Sequence, residues 1–224
     1  VRDGIRPPAN LKKAESIQAW WDNESDQAVQ EAWRKQSLDG GTQGEIISIA
    51  CCTDDGREWV RCRAPGEFEP ELLGEFFNVI DAWTIQDAEA LFPHGRAGEF
   101  PIDAHRVVAH NAAFDLGFLW RRATVHRLVR PRWLPGPSAR AGKDHECTMM
   151  LWSGFGGRVS LDALCRALGV ESPKSDLDGS RVFDAWLAGE HERIARYNLA
   201  DAKACREVFH RLVGVPGALA RYAA

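Results

Sequence analysis

No stretch of about 18 apolar residues occurs in the 224-residue chain, which argues against a membrane-spanning helix. Arg2, Asp3 and Arg6 stand where a secretory leader needs an apolar core, so no signal peptide is expected. The chain has no initiator Met, which points to a processed or truncated start. None of the six cysteines (Cys51, Cys52, Cys62, Cys147, Cys165 and Cys205) stands in a C-x-x-C pair, which argues against a zinc ribbon. They sit mostly among apolar neighbours, as reduced core thiols of a cytoplasmic protein do. There is no internal repeat and no low-complexity tract, and 45% hydrophobic content suffices for one full core, so a single domain spanning 1–224 is expected. A net charge of −4 excludes a wholly basic nucleic-acid binder.

One local absence matters more than these. No acidic residue lies between Asp115 and Asp144, while that stretch holds Arg121, Arg122, Arg127, Arg130, Arg132, Arg140 and Lys143. Its second half, about 129–146, reads as a basic loop with Pro131, Trp133, Pro135 and Pro137. Such a patch is either a solvated helix face followed by a loop, or a track for a phosphate backbone.

The rest of the chain reads as alternating elements. Ile17, Trp20, Trp21, Ala28, Ala32 and Trp33 recur at helical spacing within a segment of about 11–36. Glu45–Cys52 is a short apolar run suited to a buried strand; Asp54-Asp-Gly56 signals a hairpin, and Glu58–Cys62 returns. Residues 70–92 carry a helical stripe, and Arg106–Ala109 is a short strand running into a helix from about Ala112 to Leu128. Cys147–Trp152 is a short strand or helix; Ser160–Leu168 is a helix with Ser160 as cap and Gly169 as stop. A polar loop, a short helix at Arg181–Leu187 and a long helix at Glu190–Val213 complete the chain. The order implies an α/β layer architecture with a mixed sheet.

Two acids need explaining. On the last helix Ile194, Asn198, Asp201, Cys205, Val208 and Leu212 form a core-facing stripe with Asp201 in its middle. A carboxylate there is costly unless a cation or a donor meets it. Tyr197, four residues earlier, projects on the same side. A buried ion pair with an arginine beside a core tyrosine would also account for both. In the middle of the chain a strand leads through Asn111, a possible helix cap, to Asp115 in a first helical turn. Either the helix dipole alone favours Asp115 there, or the strand end delivers it to a crevice of the kind where α/β proteins place their chemistry.

His110-Asn111-x-x-Phe114-Asp115, followed by Phe118-Leu119, resembles the second motif of the DEDD 3′–5′ exonucleases, and Tyr197-x-x-x-Asp201 resembles their third. Position 196 is arginine, so the likeness is to the tyrosine subclass. Pro7–Lys13, Leu38–Gly41, Gly44–Ile49 and Lys174–Gly179 are similar to predicted 3′–5′ exonucleases related to the proofreading domain of family B DNA polymerases. The resemblance implies a ribonuclease H-like fold. It also implies hydrolysis of phosphodiester bonds at a 3′ end, most naturally of single-stranded DNA, with two Mg²⁺ or Mn²⁺ ions about 4 Å apart. In that scheme Asp115 and Asp201 hold metal and Tyr197 orients the attacking water. Arg121, Arg122, Arg130 and Arg132 carry the strand through its phosphates. Asn111 touches the terminal nucleotide beside Phe114 or merely caps its helix. Trp133 stacks on a base or anchors its loop, and Lys174 meets a phosphate or stays solvated.

The family's first motif, Asp-x-Glu on an early apolar strand, is missing. Asp22-Asn-Glu24 and Asp87-Ala-Glu89 fall in helical stretches, and Asp144-His-Glu146 follows the second motif instead of preceding it. The resemblance implies that the chain begins just after the strand carrying that motif, and the strand is expected in the full protein. A non-catalytic nucleic-acid-binding module on the same fold is the alternative.

Overall fold

The hairpin written into Asp54-Asp-Gly56 is formed. In the computed structural model, which describes residues 5–36, 40–91, 106–173, 177 and 179–214, β1 (Ser48–Cys52) and β2 (Glu58–Cys62) pair antiparallel with Ser48 opposite Cys62 and Cys52 opposite Glu58. The chain divides into two compact units, Val1–Glu45 and Ile46–Ala224. In the first, the single helix expected from periodicity is two: α1 (Ala14–Asn23) and α2 (Ser25–Gln36), broken at Glu24. The Ser25 hydroxyl donates to the Trp21 carbonyl at 2.6 Å, and Trp20 and Trp21 meet edge to face at 5.0 Å.

The second unit carries the rest. Its elements are α3 (Glu69–Leu91), β3 (Val108–Ala109), α4 (Ala112–Val125), β4 (Glu146–Cys147), α5 (Thr148–Ser153), α6 (Leu161–Leu168), α7 (Val182–Leu187) and α8 (His191–Val213). The apolar stripe of α3 makes the main core: Leu72, Leu73, Phe76 and Phe77 pack with Ile49, Ala112, Leu116, Leu134 and Cys147. Leu72 and Leu73 are wholly buried, each contributing about 2 kcal/mol of apolar burial. The Ser160 hydroxyl caps α6 by accepting from the Ala163 N–H at 3.2 Å, as its sequence position requires.

α8 lies against β1, β2 and β3 and is tied along the hairpin by four polar contacts. Asn198 Nδ2 donates to Ser48 Oγ (2.9 Å), Lys203 pairs with Glu58 (2.8 Å), Arg206 donates to the Thr53 carbonyl (2.9 Å), and His210 Nε2 meets Asp54 (2.7 Å). The long helix therefore has a fixed rotation relative to the hairpin, and that rotation decides where Tyr197 and Asp201 face.

The architecture is mixed α/β, but the strands form two small sheets in place of the single mixed sheet expected. β1–β2 is antiparallel and β3–β4 parallel, and no pairing joins them among the described residues. Each of β1 and β3 therefore has one edge without a paired strand among the described residues. Also among the described residues, no helix is long and apolar enough to cross a membrane.

Candidate active site

Asp115 and Asp201 belong to different elements and are brought together. β3 ends at Ala109, and the chain turns through His110 and Asn111 into α4, with Asp115 in the first turn. Asn111 has φ 60° and ψ 45°, the left-handed region that asparagine tolerates better than most residues. Its side chain makes no capping hydrogen bond, which corrects the expectation that it caps α4. The backbone makes the turn instead, with the Phe114 N–H donating to the Asn111 carbonyl at 2.8 Å. The Asn111 side chain is exposed, next to an exposed Phe114 whose ring lies 5.7 Å from that of Phe118.

The charge of Asp201 acts directly on Asp115. Loss of hydration is the largest cause and pushes the Asp115 carboxyl up to about 7; a hydrogen bond from its own backbone N–H, which lowers it, comes second, and the charge of Asp201, which raises it, third. Asp115 still keeps an exposed side, through which water screens the shift and a cation could reach it. Asp201 also acts on Cys165 of α6, and Asp115 on Cys205, one turn beyond Asp201. The two acids thus sit where the start of α4, the middle of α8 and α6 converge. Tyr197 is half-buried one turn before Asp201, packed with Cys62, Val182 and Trp186 around Leu177, Ala185 and Ile194. Burial pushes the thiols of Cys51 and Cys205 up to about 12, so they are unreactive core thiols.

This pair has a pH signature. A carboxyl raised in the folded state binds protons that the unfolded chain has released, so stability falls as pH rises from about 4 to about 7 and then levels. Asp115→Asn removes the penalty. Its melting temperature should match that of the parent near pH 4 and exceed it by a few degrees above pH 7, corresponding to about 1 kcal/mol after solvent screening. Thermal melts between pH 4 and pH 8 check this; a difference independent of pH would mean that Asp115 is not strained by burial and by Asp201.

His110 was legible as a motif letter but not in its role. Its Nδ1 lies 2.9 Å from Thr148 Oγ1 and its Nε2 2.9 Å from the Val159 carbonyl, while Thr148 Oγ1 also approaches Cys205 Sγ at 3.9 Å. The imidazole therefore ties the strand end to both flanks of the α5 segment. A fully buried threonine at the start of α5 was the available signal, and it shows only once the helix is placed.

The other expected site residues part company. Arg122 is not a phosphate ligand: it is buried, and its guanidinium grips Glu69 through Nε (3.1 and 3.0 Å) and Nη2 (2.6 Å). Trp133 anchors its loop: its ring meets Phe76 and Phe77 edge to face at 5.6 and 5.9 Å, and its Nε1 donates to Asp81 at 2.9 Å. Both faces of the expectation for Trp133 were open in the sequence, and packing selects the structural one. Arg130 is exposed and stacks over Trp120 with Cζ 4.7 Å from the ring centroid, and Arg132 is exposed as well. Arg121 is half-buried, its guanidinium against Gly117. Lys174 lies outside the described residues.

The three Asp-x-Glu sequences are engaged elsewhere. Asp22 accepts from Gln18, Asp87 pairs with Arg57 at 2.6 Å, Asp144 accepts from the Arg140 N–H, and Glu146 pairs with Arg106 at 2.9 Å. Among the described residues no group of three or more His, Cys, Asp or Glu side chains is placed to hold a metal ion. No curated protein and no solved structure matches the chain. A family model does, over residues 42–223, and it spans both acids, Tyr197 and every element from β1 to α8. By that match the chain belongs to the predicted 3′–5′ exonucleases related to the exonuclease domain of PolB.

Proposed function

We propose that the unit from Ile46 onward is the body of a divalent-metal-dependent 3′–5′ exonuclease on a ribonuclease H-like frame, acting on single-stranded DNA ends. The observation that carries this reading is the coupled pair Asp115 and Asp201. Two carboxylates held close enough to raise one of them, with one side open to solvent, are a poor structural pair and a suitable donor set for Mg²⁺ or Mn²⁺. Bound divalent metal would supply a water nucleophile at neutral pH and charge stabilisation at the scissile phosphate. Asp201 and Asp115 are its proposed ligands. Tyr197, on the same face of α8, orients the attacking water through a hydroxyl that both donates and accepts. Asn111, relieved of capping, faces the terminal nucleotide beside Phe114. Arg130, Arg132 and the exposed Arg127, Arg140 and Lys143 hold phosphates without reading sequence.

The test is direct. Full-length protein with Mn²⁺ and a 3′-labelled single strand should release labelled mononucleotides, and EDTA should stop the release. Failure to release any, with DNA and RNA both tried, removes the reading.

That no third carboxylate joins the pair among the described residues favours a second reading, a nucleic-acid-binding module without catalysis. The two diverge on metal. The exonuclease reading expects the 224-residue chain to bind Mn²⁺ weakly, with a dissociation constant of roughly 0.1–1 mM set by two carboxylates, and more tightly as pH rises through 7. Calorimetric titration at pH 6 and pH 8 would show this. No binding at either pH, with salt-sensitive strand binding intact, favours the second reading.

A further inference from the structure

Resting on the proposed action on nucleic acid, we infer that Phe155, with Trp152 three residues before it, is a stacking platform for bases near the 3′ end of the bound strand. Phe155 is 97% exposed and Trp152 51%. With Leu151 45% exposed as well, the segment turns three large apolar side chains to solvent within five residues, a cluster and not a single scattered exposure. The turn is built to present it. Gly154 and Gly156 have φ 73° and 78°, and a Cβ at Gly157 would lie 2.4 Å from the Ser153 carbonyl oxygen. The Gly157 N–H closes the turn on the Gly154 carbonyl at 3.3 Å. A side chain at position 157 would therefore break the turn that holds the ring outward.

The loop is tied to the acid pair. His110, in the turn into α4, holds Val159 and Thr148, so both flanks of the segment are pinned at the strand end that delivers Asp115. Phe155 lies four residues from Val159, a reach of at most about 14 Å. That is the length of a few stacked nucleotides at about 3.4 Å each.

Charge argues for a nucleic acid and against other occupants. Between Cys147 and Leu161 the sequence holds one charged residue, Arg158. It is exposed, with no ion-pair partner among the described residues. Aromatic faces beside an unpaired guanidinium match a strand whose bases stack and whose phosphates are negative. Every base has a π-face, so such a platform grips without reading sequence.

The experiment measures binding, not turnover. The anisotropy of a 5′-fluorescein-labelled oligodeoxythymidylate is followed in EDTA at low salt with the parent, Phe155→Ala and Phe155→Trp. A second strand has abasic residues at its last three positions. A fully exposed side chain can be removed without unfolding the protein. Phe155→Ala should weaken binding on the order of tenfold and Phe155→Trp should restore it. On the abasic strand parent and Phe155→Ala should bind alike. If Phe155→Ala binds the intact strand as the parent does, the platform is overturned while the nuclease reading stands. An equal loss on both strands shows a contact other than stacking and also overturns it. If the parent binds no single strand, DNA or RNA, the nuclease reading fails and takes the platform with it. A change of sedimentation in Phe155→Ala with unchanged strand affinity would assign the loop to self-association instead.

Discussion

Replacing Asp201 with asparagine is expected to abolish metal-dependent release of nucleotides, by about 10³-fold or more, while relieving the repulsion that helps to raise the Asp115 carboxyl. The two halves of that expectation come from the same geometry. Asp201 sits half-buried on α8, and its charge raises the Asp115 carboxyl. Without metal the two charges repel, so neutralising one member removes that part of the rise at Asp115, while the larger part, from burial, stays. With metal, the same two charges are the proposed donors. Losing one forfeits several kcal/mol of charge stabilisation, at about 1.4 kcal/mol per factor of ten in rate. If Asp201 served the fold instead, its removal would cost stability in step with activity. Single-turnover release from a 3′-labelled strand in Mn²⁺, measured beside the melting temperature at pH 8, separates these cases. Full activity in Asp201→Asn, or a loss accompanied by a matching drop in melting temperature, would show that Asp201 supports the fold and not the chemistry.

Features set by neighbours in sequence were legible before the structure. The hairpin follows from Asp54-Asp-Gly56 between two apolar runs, the cap of α6 from Ser160, and the face shared by Tyr197 and Asp201 from a four-residue step. The family was legible too, since its motifs lie on two such local elements. What was not legible depends on distant partners. Arg122 belongs by sequence to a basic run, and only the packing of α3 against α4 brings Glu69, 53 positions away, to meet it. For Trp133 the sequence offered loop anchoring as one of two readings, but not its partners, Phe76, Phe77 and Asp81 of α3. Asn111 carries the residue type of a cap, yet its backbone is left-handed and its side chain is released from capping. The single mixed sheet was inferred from element order, which gives the number of strands but not which edges pair. Two separate pairs satisfy that order as well, each packed against α8.

Arg122→Ala is expected to lower stability by about 3–5 kcal/mol, a fall of roughly 10 °C in melting temperature, without touching the electrostatics of strand binding. Glu69 opens α3 with a side chain only 2% exposed, and Arg122 of α4 is 6% exposed. Every lone pair of the carboxylate has a donor. Oε1 accepts from the Ile46 N–H at 2.6 Å and from Arg122 Nε; Oε2 accepts from Arg122 Nη2 and lies 2.6 Å from His126 Nε2. Burial works to raise the Glu69 carboxyl, but the hydrogen bonds from Arg122, Ile46 and His126 outweigh it and hold the group below its ordinary value. The network therefore stabilises the fold above the unfolded pKa and is lost as pH falls through the lowered folded one. Truncating Arg122 strands a buried carboxylate, and that uncompensated charge is the source of the large effect. Replacing both partners, as Glu69→Gln with Arg122→Met, should recover most of the loss because no buried charge remains. Salt titrations of single-strand binding decide between this role and the phosphate role. Each phosphate contact contributes about 0.7 to the slope of log K against log salt for a single strand. Arg132→Ala should lower the slope by about that amount, and the Glu69→Gln, Arg122→Met pair should leave it unchanged. A lowered slope in the double variant, or an Arg122→Ala protein that melts within a degree or two of the parent, would return Arg122 to the strand-binding surface.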